Sequence, residues 1–414
     1  MAKAAFGALG VAAGLVLVSS GAQGQGSRPA LPPGAGHDTV ATMCVACHEL
    51  NRITRSGGYD REGWSQAVDR MTAVGARLTP IQKTEVVAYL AQNFPEQPKP
   101  EGRVIPGPVK VAFKEWTVPT PGSRPHDPLA TRDGAIWYTG QLSNKLGRLD
   151  PKTGQIKEYP LKSPQTAPHG LVEDKHGNIW FTGNHISIVG KLDPKTGNVT
   201  EYKMPDPKAK DPHSLAFDQK GILWFTLQQS NMMGRLDPAT GEIKLMTSLT
   251  PRSRPYGIMV NSKGIPFVVL FGTNKVARID PQTLAIREYT LPDPKSRPRR
   301  MAFTRDDILW YSDFARGYLG RLDTTTGEVK EWPSPSGPKS QPYGIVAAKD
   351  AIWYSESGVK PNTVVRFDPK TQKFQTWAIP SGGYIVRKMD VTPDGNPVLA
   401  TSTVNGVALV EVGK

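Results

Sequence analysis

Two cysteines in 414 residues leave no room for a disulfide framework, and a lone pair of thiols cannot close an all-cysteine zinc site. Acidic residues are also short, 37 against 51 lysines and arginines, and the surplus of +14 is spread along the chain rather than gathered in a tail. Such a balance favours acidic protein partners or anionic small molecules. Nucleic acid is not expected as a partner. Long hydrophobic runs are missing after the first twenty residues, so no later segment reaches the roughly 20 apolar residues of a membrane span.

The first residues explain where the chain is expected to go. Lys3 gives a positive start, residues 4–18 are apolar and small, and Ser20-Gly21-Ala22 offers a small-residue cleavage site. Residues 1–22 are therefore read as a signal peptide, with a mature chain starting near Gln23. The run is short for a retained anchor. A periplasmic or otherwise exported location follows, with no membrane span after the leader is removed.

The two cysteines lie in Cys44-Val45-Ala46-Cys47-His48. Thiols at this spacing can both add to the vinyl groups of one haem, and the following histidine can reach its iron, which predicts covalent haem c attachment. A redox dithiol is the competing reading of the pair. Around the motif the pattern is helical over 38–49, 61–71 and 79–93; the last stretch opens with Thr79-Pro80 and repeats Ile81, Val86, Val87 and Leu90 on one face. Residues 37–95 are expected to form a small all-α cytochrome c domain. Electron transfer calls for a sixth iron ligand, and Met71 is the candidate, with a core methionine as its other reading. The segment resembles the haem-binding domain of the quinohemoprotein amine dehydrogenase alpha subunit, through Cys44, Cys47 and His48 and then Gly63-Trp64, Arg70-Met71, Gly75 and Tyr89-Leu90-Ala91. That resemblance covers about sixty residues and implies His48 and Met71 as iron ligands, with Trp64 and Arg70 near the haem edge. Residues 96–109, rich in Pro, Lys and Gly, read as a linker that leaves the flanking units free to move unless they share an interface.

From residue 110 to 414 the chain repeats. Pro125-His126, Pro168-His169, Pro212-His213, Pro255-Tyr256, Pro298-Arg299 and Pro342-Tyr343 recur at steps of 43 or 44 residues, with a degenerate seventh copy at Arg387. Trp137, Trp180, Trp224, Phe267, Trp310 and Trp353 keep the same period, as do turns of the type Leu-Asp-Pro-x-Thr-Gly at 149–154, 192–197 and 236–241. Four short strands per repeat of this length build propeller blades, so the fold is expected to be mainly β, a seven-bladed propeller. The stretch 113–119 looks like an outer strand but precedes the first inner one, and the C-terminus stops one strand short. It is expected to complete the last blade and close the ring.

In such a blade the start of the first strand and the end of the second share one face. That face carries His126, His169, His213, Tyr256, Arg299, Tyr343 and Arg387, and beside them Gly140, Gly183, Leu227, Leu270, Asp313, Glu356 and Thr401, with Arg124, Arg254, Arg297 and Arg300 as flanking cations. His185 is a possible addition to this mouth, and His176 reads as an exposed turn residue. The repeats resemble the streptogramin lyase, or virginiamycin B lyase-like, family in Pro-His/Tyr-Gly-Ile/Leu, then Ile/Leu-Trp-Phe/Tyr-Thr/Ser and Gly-Arg/Lys-Leu-Asp. The resemblance implies a catalytic set of His169, His213 and Tyr256, His213 as general base, and a magnesium ion near Asp211. The partner carboxylate position is occupied by Gln228, a neutral amide and a poor ligand for a hard cation. Two functions therefore stand side by side: an exported monohaem electron-transfer protein whose propeller binds a redox partner protein or an anionic small molecule, or a propeller enzyme, either a magnesium-dependent lyase or a dehydrogenase feeding the haem.

Overall fold

The second strand of each repeat sets the architecture. Ile136–Gly140, Ile179–Gly183, Leu223–Leu227 and Pro266–Leu270 are buried along their whole length, so each must be covered on both faces by neighbouring sheets. The computed structural model, which describes residues 1, 31–44, 50–54, 58–73 and 76–413, meets this with seven four-stranded antiparallel sheets, the blades of a seven-bladed propeller. Blades 1 to 7 are numbered by their inner strands: Pro125–Ala130, Pro168–Glu173, Pro212–Phe217, Pro255–Val260, Pro298–Phe303, Pro342–Ala348 and Val386–Val391.

Packing within a blade explains its repeating glycine. Tyr138, Phe181, Phe225 and Tyr311 on the second strands face Gly147, Gly190, Gly234 and Gly320 on the third. Each ring lies across the glycine so closely that a Cβ there would sit 2.0–2.1 Å from it. In blade 4 the ring is replaced by Val268, and the opposite residue is Ala277. Farther out, Trp137, Trp180, Trp310 and Trp353 stack on Tyr159, Tyr202, Trp332 and Trp377 of the fourth strands.

Blade 7 takes its outer strand from the start of the propeller. Val111–Thr117 pairs antiparallel with Gly406–Val412 in an unbroken register from Val111 against Val412 to Thr117 against Gly406. The preceding segment is strapped to blade 6. Lys360 donates its backbone N–H to Pro100 O at 3.0 Å and pairs with Glu96 at 3.0 Å; Arg103 N–H donates to Ser336 Oγ, Ile105 exchanges bonds with Thr376, and Gln375 bonds both backbone groups of Val109. A proline-rich stretch that reads as a free linker thus finds partners for its backbone on one blade.

N-terminal to the strap lie short helices, Asn51–Thr54, Arg61–Ala73 and Pro80–Asn93, after a brief helical turn His37–Thr39 that runs into a π-helical turn Val40–Cys44. Pro80–Asn93 begins with a capping box: Gln82 N–H donates to Thr79 Oγ1 at 3.2 Å, and Thr79 N–H donates to Gln82 Oε1 at 3.0 Å. Val40, Ile53, Trp64, Val68, Val86, Val87, Tyr89 and Leu90 form their shared core. The expected leader, Cys47 and His48 lie outside the described residues. Among the described residues no helix is long and apolar enough to cross a membrane.

Candidate functional site

Every inner strand carries a β-bulge just after its first residue; in blade 3, for example, the register shifts between Pro212 and Leu215. A bulge re-aims side chains, and here it brings two successive residues of several blades into the centre of the ring. The first of each pair gives His126, His169, His213, Tyr256, Arg299, Tyr343 and Arg387. The register also sets Gly140, Gly183, Leu227, Leu270, Asp313, Glu356 and Thr401 opposite the starts of the same strands, at one end of the molecule.

Four successive side chains of the ring pack ring against ring, tilted by 43–50°. Successive ring centroids from His126 to His169, His213 and Tyr256 are 3.9, 3.8 and 4.0 Å apart. Tyr256 and Tyr343 share a hydroxyl hydrogen bond of 2.5 Å, and the Arg299 guanidinium lies 3.8 Å over Tyr343 and 4.1 Å over Phe314. All three histidines are buried, and burial, reinforced by Arg300 and the neighbouring cationic groups, holds each well below the usual imidazole value; they are neutral at pH 7. His169 Nδ1 is 3.1 Å from the His213 carbonyl, which can only accept, so Nδ1 carries the proton and Nε2 is free to take one. Burial pushes the Tyr256 phenol up, but Arg299, Arg300 and the bond to Tyr343 outweigh it and bring it below its ordinary value. Tyr343 is raised by burial.

The second residues of the bulges form a cluster that sequence reading missed. Asp127 of blade 1 accepts from Arg300 of blade 5 at 3.3 Å and faces Lys388 of blade 7 at 3.7 Å; Arg300 also donates to Ser214 of blade 3 at 2.8 Å. Of these only Arg300 stood out in the sequence, as a flanking cation. Strict alternation along a strand hides the others, because a residue next to a channel residue should face away. Among the described residues, His126, Asp127 and His169 also bring ligand atoms within 4.8 Å of one another, a spacing compatible with a metal ion, although Arg300 and Lys388 already hold Asp127.

The suggested magnesium pair is close in space but differently employed. Asp211 accepts from Asn184 Nδ2, and Gln228, with its amide oriented to satisfy both neighbours, donates to Asp211 at 3.1 Å and accepts from Arg254 at 3.0 Å. A neutral amide backed by a guanidinium does not suit a hard divalent cation. Asp313 is taken by Arg316 and the Arg297 N–H, and Glu356 by Ser334, Ser336 and Thr363. Both carboxylates hold loops. Arg297 caps the carbonyls of Pro294 and Ser296, and His176 and His185 are exposed.

In the helical part, Cys44 and Met71 line one apolar cleft with Met43, Ile53, Trp64, Ala67, Val68, Ala76, Leu78 and Leu90. Burial raises the Cys44 thiol. Trp64 is fixed by its indole N–H, which donates to Phe94 O at 2.8 Å, and Met71 is 37% exposed at the rim. Met43 lines the same cleft.

A comparison with curated proteins found no match. Among solved structures, a streptogramin B lyase is 27% identical over 73% of this chain and 98% of its own, with a TM-score of 0.67. Virginiamycin B lyase from Staphylococcus aureus, 23% identical over 73% of this chain and 99% of its own with a TM-score of 0.67, shares the fold, as does Kuenenia stuttgartiensis hydrazine synthase at 14%, 70%, 96% and 0.58. The model of the virginiamycin B lyase family matches residues 101–367. With more than half the chain matched and seven blades built on its repeat, this protein belongs to the virginiamycin B lyase family.

Proposed function

We propose that this chain is an exported electron-transfer protein with one haem c joined to Cys44 and Cys47, His48 and Met71 as iron ligands, and a propeller whose channel takes an anionic ligand or docks an acidic redox partner. The observation that carries the reading is that Cys44 and Met71, 27 positions apart, line the same apolar cleft. The residues there suit the group: a thiol for attachment, a thioether for the iron, and aliphatic and indole walls that exclude water and so tune an iron couple. When bound, the haem supplies a one-electron carrier. Trp64, held by Phe94 O, fixes one wall, and the Pro80–Asn93 helix contributes Leu90 to the cleft.

Expression in a host that matures c-type haem tests this directly. Native protein should retain haem after denaturation and reduce reversibly; Cys44→Ala/Cys47→Ala should lose it; Met71→Ala should keep it, lose the red charge-transfer band of methionine-ligated iron and fall in potential. Covalent haem in the double variant would overturn the assignment, and an unchanged Met71→Ala spectrum would move the sixth ligand to Met43.

A lyase is the second reading, favoured by family membership and by the stack of His169, His213 and Tyr256. With Gln228 between Asp211 and Arg254, that pair does not suit magnesium. Purified protein with magnesium is expected to leave a cyclic streptogramin ester intact; cleavage that His213→Ala abolishes would reverse the ranking. A dehydrogenase would show itself by substrate-dependent haem reduction.

A further inference from the structure

We infer that the arc of the channel between blades 4 and 7 is a binding subsite for a small oxyanion, a carboxylate or inorganic phosphate, gripped by Arg299 and Arg387 beside the Tyr256–Tyr343 hydroxyl pair. This rests on the anionic-ligand part of the reading above and is independent of the haem.

Charge balance is the first ground. Blades 5 and 7 each send two successive cations to the centre, Arg299-Arg300 and Arg387-Lys388. The second of each pair is compensated: Arg300 and Lys388 share Asp127, and Lys388 also feels Asp390, whose carboxylate accepts from Ala130 N–H at 2.8 Å. The first of each pair is not. The groups that act most strongly on Arg387 are Tyr343, Tyr256, Arg299 and Tyr59, and those on Arg299 are Tyr256 and Tyr343; none is a carboxylate. Two guanidiniums deep in a protein without a counter-charge are unfavourable, and a bound anion removes that penalty.

Unused donors are the second ground. Among the described residues, nothing accepts from Arg387 Nη1 or Arg299 Nε. The two phenols have two O–H groups between them and use one in their mutual bond, which leaves one to give. Arg299 cannot swing away to seek water, since its guanidinium is clamped over Tyr343, Phe314 and Phe271 at 3.8, 4.1 and 4.6 Å. Arg299 and Arg387 are part-exposed residues beside the buried Tyr256 and Tyr343, while Arg387 Nη1 and Arg299 Nε are themselves covered, so an anion is gripped at the inner side of the two guanidiniums. A planar fork matches the two oxygens of a carboxylate or phosphate.

Asp127 marks the limit of the subsite. Its carboxylate would repel an anion placed deeper, next to Arg300, which confines the ligand to the arginines of the outer layer. The tyrosine pair offers the rival explanation: a phenolate on Tyr256 would itself balance the arginines.

The test is thermal unfolding of the full chain at pH 7, first in buffer free of small oxyanions and then with inorganic phosphate or acetate at constant ionic strength. At least one anion should raise the midpoint saturably, and which one does so separates the two sources. Arg387→Met should melt higher than native protein without anion, having lost an unbalanced buried charge, and should no longer respond; Arg387→Lys should need roughly tenfold more anion. Arg305→Gln, at an exposed site, should respond like native protein. No response to either anion, an undiminished response in Arg387→Met, or a near-ultraviolet phenolate band that vanishes in Tyr256→Phe and ignores the anion would each overturn the proposal. The Cys44→Ala/Cys47→Ala chain should respond too, so failure here leaves the haem assignment standing.

Discussion

His126, His169 and His213 are neutral because they are buried, each with a neighbouring ring 3.8–4.0 Å away, and because the cationic groups around them oppose a further positive charge. Their folded-state values lie far below the unfolded imidazole value of about 6.5. Below that pH the unfolded chain therefore binds protons that the folded chain refuses, so stability falls as pH falls. Each histidine adds a slope of about 1.4 kcal/mol per pH unit, roughly 4 for the three together. Denaturant titrations between pH 6 and 5 should show this loss, and His169→Gln should reduce the slope by about one third; a slope unchanged by the substitution would mean that the stack takes up protons while folded. The identity of these ring residues could be read from the repeat. The meeting of Asp127 with Arg300 and Lys388 beside them could not, since a bulge leaves no mark in an alternating pattern.

At the scale of the element, a strand reads well when one side chain decides its neighbour. Gly190 exists for Phe181: a Cβ at Gly190 would stand 2.1 Å from the Phe181 Cζ, and the ring has buried neighbours that keep it in place. Gly197, in the turn that follows, has φ 76° and nothing within 4 Å of the place a methyl group would take, so its cost is backbone alone. Gly197→Ala should therefore destabilise by about 1–2 kcal/mol, and Gly190→Ala by about 3 kcal/mol or more. Blade 4 shows the remedy in its Val268 and Ala277. Phe181→Val should restore part of the stability lost in Gly190→Ala, although alone it opens a cavity; equilibrium unfolding of the two single variants and the double variant measures this coupling. The same rule explains why third strands spelled Gly-Arg or Gly-Lys align so readily along the sequence. The strap over 96–109 shows the reverse case, because proline and glycine mark it as irregular while its anchors, Gln375 and Thr376, are ordinary strand residues some 270 positions away.

For the whole molecule the question is how a ring of sheets stays shut. Seven similar blades need no particular starting point, yet the propeller segment has two ends, and both are in blade 7. Without Val111–Thr117 the strand Gly406–Val412 would present an open edge, with its row of unpaired N–H and C=O groups, to any other chain. The closing strand also binds sideways: Lys114 pairs with Glu411 at 3.1 Å, and Glu115 accepts from Ser381, in the loop before the last inner strand. This makes closure a local ladder holding a global contact, so damage to the ladder should act on the entire propeller. Lys114→Pro/Glu115→Pro removes one ladder donor whichever residue faces the partner strand, at a cost of about 3 kcal/mol or more. Scanning calorimetry should then show the propeller transition lowered by roughly 6 °C or more as one unit, with concentration-dependent aggregation from the freed edge. Loss of blade 7 alone, seen as a separate early transition with the remainder melting at the native temperature, would instead mean that the other six blades hold together without closure.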